Sequence, residues 1–185
     1  MSREDLIATA QDLDKLAGIK DERPWRVLTQ HIEDVRACHK KFGILTADKP
    51  GNLTQRKLKE RVEFLLEELT ELATAGNLGL EQDQHTGAHY VSDMYLGVKP
   101  NLPEIADALI DLVYIACGTA VMLGLPWQEL WDDVQRANLG KVRGIGKRGH
   151  QVDLIKPPGW EGPKTAELLK EAGWDPADTT ERDDQ

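Results

Sequence analysis

Two sets of carboxylates stand out by their spacing. Glu68 and Glu71 lie three positions apart in EELTEL, and Glu104, Asp107 and Asp111 follow at intervals of three and four in EIADALID. On an α-helix such intervals put side chains on one face, so each set predicts a line of negative charge. The first pair flanks a stripe of Val62, Leu65, Leu66, Leu69, Leu72 and Ala73, whereas Glu67 falls nearly opposite it and reads as solvated. The second line is embedded among Ile105, Leu109, Ile110, Leu112, Val113 and Ile115, apolar nearly all round. Carboxylates on a helix buried on most sides are costly unless cations neutralise them. Few basic residues share these helices, Arg61 being the obvious exception. A hard divalent ion, Mg2+ or Mn2+ in its place, is therefore the expected partner. One pair of glutamates three apart is most often a solvated face; acidic lines on two long helices are harder to dismiss. A di-iron bundle would need Glu-x-x-His pairs, and neither helix has one.

A second set is cationic. The segment from Trp127 to Lys141 has helical periodicity, with Leu130, Val134, Asn138 and Lys141 along one stripe. The following KVRGIGKRGH sets Lys141, Arg143, Lys147 and Arg148 among three glycines. Flexible backbone amides and fixed positive charge suit a polyphosphate. An interhelical asparagine and a solvated loop are the plainer alternatives.

The elements that must position these groups are helical. Trp25–Lys41, a helix from about Thr54 to Ala75 stopped by Gly76-Asn77, Glu104–Leu123 and Trp127–Lys141 carry the 3.6-residue pattern. Residues 76–103 break it and read as a long connection, with His85 and His89 on its surface. The chain divides into an N-terminal arm or helix over 1–22, a domain over 23–170 and an acidic tail over 171–185, expected to fray from Asp175. A net charge of −9 argues against nucleic acid or an acidic membrane surface as partner, and makes a metal the natural bridge to an anionic substrate. Ile105–Leu125 is apolar enough to raise the question of a membrane span, but Asp107 and Asp111 argue for a helix buried in protein. Cys38 and Cys117 read as reduced, buried thiols of a cytoplasmic protein.

With these motifs in order, the sequence resembles the MazG-like all-α nucleoside triphosphate pyrophosphohydrolases. The resemblance runs from about Trp25 to Leu169 on EELTEL, EIADALID and the Asn-x-x-Lys of QRANLGK. It implies an all-α bundle completed by oligomerisation, as a homodimer or homotetramer. It also implies Mg2+ held by Glu68, Glu71, Glu104 and Asp107, with Asp111 one turn beyond helping to hold metal or water. Asn138 and Lys141 would touch the phosphates of a nucleoside triphosphate. DVRACHKKFG and KPPGWEGP look like the phage-type branch. Within it, the MazZ-type subgroup would imply dGTP and dATP as substrates and dGMP as the useful product for 2-aminoadenine nucleotide synthesis. Water activated by metal would attack the α-phosphorus, with Glu68 or Glu71 as orienting group or base. His39, Phe42, Phe64 and Trp160 are candidates for the base pocket, each equally a packing residue. The alternatives are a house-cleaning or phosphoribosyl-ATP-type pyrophosphohydrolase, and a helical interaction module that has lost its chemistry.

Overall fold

The computed structural model describes residues 24–94, 97–144 and 153–183. The expected N-terminal arm, Lys147 and Arg148 lie outside these residues. Among the described residues there are five helices and three two-stranded sheets, an all-α architecture with small β additions. The helices are α1 (Pro24–Phe42), α2 (Gln55–Ala75), α3 (Leu102–Leu123), α4 (Trp127–Leu139) and α5 (Thr165–Glu171), and a two-residue strand, β1 (Asn52–Leu53), precedes α2.

Local signals account for the boundaries. Thr54 caps α2, its hydroxyl accepting from the Lys57 amide at 3.2 Å. Asn77, at φ 59°, turns the chain after Gly76. Pro103 sits in the first turn of α3, where its missing N–H costs nothing. Gly124 ends α3 in the left-handed conformation at φ 66°. A Cβ there would also collide with the Lys49 carbonyl, so no other residue fits without a shift.

The core is narrow. Ile32 and Val35 of α1 pack on Cys117, Ala120 and Val121 of α3, with Leu125 and Trp127 closing the edge. Two pins hold α2 against α3. Near one end, Arg61 donates to the Ile115 carbonyl at 2.9 Å and from Nε to Thr119 Oγ1 at 3.1 Å. Near the other, the Asn101 amide donates to the Ala75 carbonyl at 2.8 Å. These contacts run the helices antiparallel.

The connection over 76–103 contains an antiparallel hairpin, β2 (Leu78–Gln82) with β3 (His89–Asp93). Glu81 ties it together, accepting from the Tyr90 hydroxyl at 2.8 Å and from Ser92. The expectation of fraying from Asp175 is corrected. Glu181–Arg182 forms a short parallel pair with Asn52–Leu53, and Asp183 accepts from Thr54 Oγ1 at 2.8 Å and from Arg56. An acidic tail thus finds its hydrogen-bond donors at the start of α2.

The apolar stripe read on α2 is also corrected for the single chain. Val62, Leu66 and Leu69 are 55%, 54% and 42% exposed, and only Ala73 of that stripe is buried. Helix α3 is long and apolar enough to cross a membrane by length and composition alone. It packs on α1 and α2 but leaves Leu109, Ile110 and Val113 exposed, so the expectation of burial on most sides fails within one chain.

Gly124→Ala should lower Tm by roughly 5–10 °C, through left-handed strain plus the clash with Lys49. A differential scanning measurement showing no change would contradict the role given to this turn.

Candidate functional site

The two acidic lines lie on α2 and α3, which pack against each other. Glu68 is half-buried, and its Oε2 is shut off from solvent with no hydrogen-bond partner among the described residues. An orphaned carboxylate oxygen is expensive, because the lost hydration is not replaced. Desolvation, then the negative charges of Glu71, Asp111, Glu67 and Asp107, raise the Glu68 carboxyl above its usual range. Three of the other four expected acidic residues, Glu71 on α2 and Asp107 and Asp111 on α3, therefore act on Glu68. Asp111 acts on Glu68 more strongly than Asp107 does. Glu104, exposed in the first turn of α3, is not among the charges that raise it.

Chemically this donor set fits a hard divalent cation: all oxygen, excess negative charge, and one buried oxygen with nothing to accept from. Among the described residues, no three acidic, histidine or cysteine side chains converge into a ready-made cation cage. The carboxylates stand apart as like charges do.

Arg61, the one cation near this face in sequence, is turned to α3 backbone and Thr119, with its guanidinium 5.3 Å from the Phe64 ring centre. His39 is buried at the junction of α1 and α3, its Nδ1 3.0 Å from the Leu45 carbonyl oxygen. That is a packing environment. Phe42 lies open, 66% exposed.

Tyr114 was not singled out by the sequence, yet it continues the line Asp107–Asp111 at the next helical interval. Its hydroxyl shares a hydrogen bond with the Cys38 thiol of α1. That bond, burial and the Cys38 and Asp34 charges push its pKa up. The spacing from Asp111 to Tyr114 was the available signal. Both cysteines are free thiols, and burial raises the Cys117 pKa.

Of the second set, Asn138 stands in the last turn of α4, which packs on α1 and α5, and Lys141 follows just after the helix. Asn138 is exposed and accepts from Lys141 Nζ at 2.8 Å through Oδ1. Arg143 lies in β4 (Val142–Gly144), which pairs antiparallel with β5 (Asp153–Ile155). Trp160 donates from Nε1 to the Ala137 carbonyl at 2.7 Å, seating the indole on the last turn of α4. Beside it opens a cavity of about 300 Å³ lined by Arg136, Gly140, Pro157, Pro158, Trp160 and Glu161. Partial burial of Asp133 would raise its pKa, but hydrogen bonds from Arg136 and the Lys164 amide hold it below the usual range. That pairing anchors the start of α5 to α4.

A family model described as phosphoribosyl-ATP pyrophosphohydrolase matches residues 35–138, more than half of the chain. The matched segment contains all five acidic residues and ends at Asn138. No curated protein matches the chain.

Because the Glu68 carboxyl is raised, the metal-free protein gains stability as pH falls through that raised pKa and loses it as pH rises past it. Glu68→Gln removes the repulsion, so at neutral pH with chelator it should raise Tm. An unchanged or lower Tm would show that the crowding carries no energetic weight.

Proposed function

Because the chain belongs to the phosphoribosyl-ATP pyrophosphohydrolase family, within the MazG-like all-α superfamily, we propose that it converts a purine deoxynucleoside triphosphate, dGTP or dATP, to the monophosphate and pyrophosphate. Family membership indicates a nucleotide pyrophosphohydrolase, and such enzymes use divalent metals. The finer reading assigns Mg2+ to Glu68, Glu71, Glu104, Asp107 and Asp111. The observation that carries it is the buried Oε2 of Glu68, without a hydrogen-bond partner among the described residues, amid the charges of Glu71, Asp111 and Asp107.

When bound, the cation supplies charge neutralisation for the triphosphate and lowers the pKa of water. Glu68 or Glu71 orients the attacking water and takes its proton. Oxygen bonds to the α-phosphorus, the bond to the bridging oxygen breaks, and pyrophosphate leaves. Asn138 and Lys141 hold phosphate oxygens and offset the charge that builds on the leaving group. The choice of purine deoxynucleotides is supported by the likeness of DVRACHKKFG and KPPGWEGP to the phage-type branch, where dGMP would feed 2-aminoadenine nucleotide synthesis. Phosphoribosyl-ATP is the second reading, favoured by the family match itself.

A panel of dNTPs, NTPs and phosphoribosyl-ATP, each with Mg2+ and with EDTA, tests the assignment by product chromatography. Expected are metal-dependent dGMP and dAMP, and a loss of at least about a hundredfold in Glu71→Gln and Asp107→Asn with helicity retained. Turnover of other nucleotides would move the substrate and keep the chemistry. Full activity in both variants would remove the acidic site.

The exposed faces of α2 and α3 support a homodimer or homotetramer. Leu66, Leu69, Leu109 and Ile110 are 42–66% exposed, an apolar surface that a second copy would cover. Light scattering should give a mass at least twice that of one chain; a monomer at micromolar concentration would refute this.

A further inference from the structure

Outside the family-matched segment, two lysines converge on one indole. Lys156 Nζ stands 4.5 Å from the Trp160 ring centre and Lys141 Nζ 5.8 Å from it. Their approach follows from backbone register. Val142 pairs with Ile155, so Lys141 and Lys156 come next to each other at the open end of the β4–β5 ribbon.

Trp160 fixes this end. Besides its hydrogen bond to Ala137, its ring lies close to backbone at two glycines: a Cβ on Gly140 would stand 3.4 Å from Cδ1, and one on Gly162 3.5 Å from the six-membered ring. The Arg136 guanidinium donates to the Gly162 carbonyl at 3.0 Å and holds the far side of the segment on α4. The indole is thus a rigid plate, and a cation over such a face is stabilised in place.

Two ammonium groups beside one ring repel each other unless an anion joins them. Among the described residues neither is in an ion pair, and Lys141 has only the neutral Asn138 amide. Capping of α4 does not explain them. The Arg136, Ala137 and Asn138 carbonyls already accept from the Gly140 amide, the Trp160 indole and the Lys141 amide.

We propose that Lys156 is a second phosphate-binding residue, forming with Lys141 beside the Trp160 ring a clamp for the pyrophosphate portion of the substrate. The role given to this portion rests on the pyrophosphohydrolase reading above. Trp160 is then a positioning residue that holds two charges, not a stacking partner for the base.

The test is calorimetric titration of the intact chain with inorganic pyrophosphate in EDTA, beside nucleotide kinetics with Mg2+. Lys156→Gln should weaken pyrophosphate binding about tenfold, the scale of one lost charge-assisted contact, with Lys156→Arg largely restoring it. Lys156→Met, which keeps the apolar stem on the indole, should lose as much as Lys156→Gln. In kinetics, KM should rise more than kcat falls. Pyrophosphate binding that is absent in the wild type, or equal in Lys156→Gln, overturns the clamp even if nucleotides are hydrolysed. Lys156-dependent binding in a protein that turns over no nucleotide upholds the anion site and removes the catalytic reading instead.

Discussion

The close approach of three helices at Gly118 governs the rest of the structure. A Cβ at that position would stand 3.0 Å from His39 Nε2 and 3.1 Å from the Arg61 guanidinium. With no side chain on α3 there, the ends of a long α1 residue and a long α2 residue both reach its backbone. Arg61 uses the opening to bind the Ile115 carbonyl and Thr119, and His39 to pack while bonded to Leu45. The α2–α3 register follows. Two turns beyond Arg61 along α2 comes Glu68, and one to two turns before Ile115 along α3 come Asp111 and Asp107. The space at Gly118 lets this register bring Asp111 and Asp107 to act on Glu68.

That register holds an unfavourable electrostatic arrangement in place. Glu68 gains nothing from its neighbours, since desolvation and four negative charges all act against its ionised form. Arg61, the cation that could have neutralised it, is spent on holding the helices together. A carboxyl in such surroundings is stabilised by a proton or by a cation. On the same two helices, Val62, Leu66, Leu69, Leu109, Ile110 and Val113 are all exposed in the single chain.

The C-terminal third shapes the other half of the molecule by local contacts that carry little buried area. Trp160 closes the end of α4, Asp133 anchors the start of α5, and Asp183 with Arg182 ties the last described residues to the start of α2. Each relies on one or two hydrogen bonds between segments far apart in the chain, and none follows a periodic pattern.

This separates what each level decided. The helices, the stop at Gly76-Asn77 and the two acidic lines were legible in the sequence, because capping chemistry and the 3.6-residue period act between near neighbours. The hairpin over 78–93 was missed, as its two strands are short and the Tyr90 and Ser92 bonds to Glu81 form only once they pair. His39 and Trp160 read equally as base-pocket or packing residues, and only three-dimensional contacts could place them in helix junctions. Lys156, unremarked in KPPGW, gained its neighbour Lys141 from strand register. Spacing along one helix determines which carboxylates share a face; which faces meet is decided by close packing between distant residues, here by the space left at Gly118.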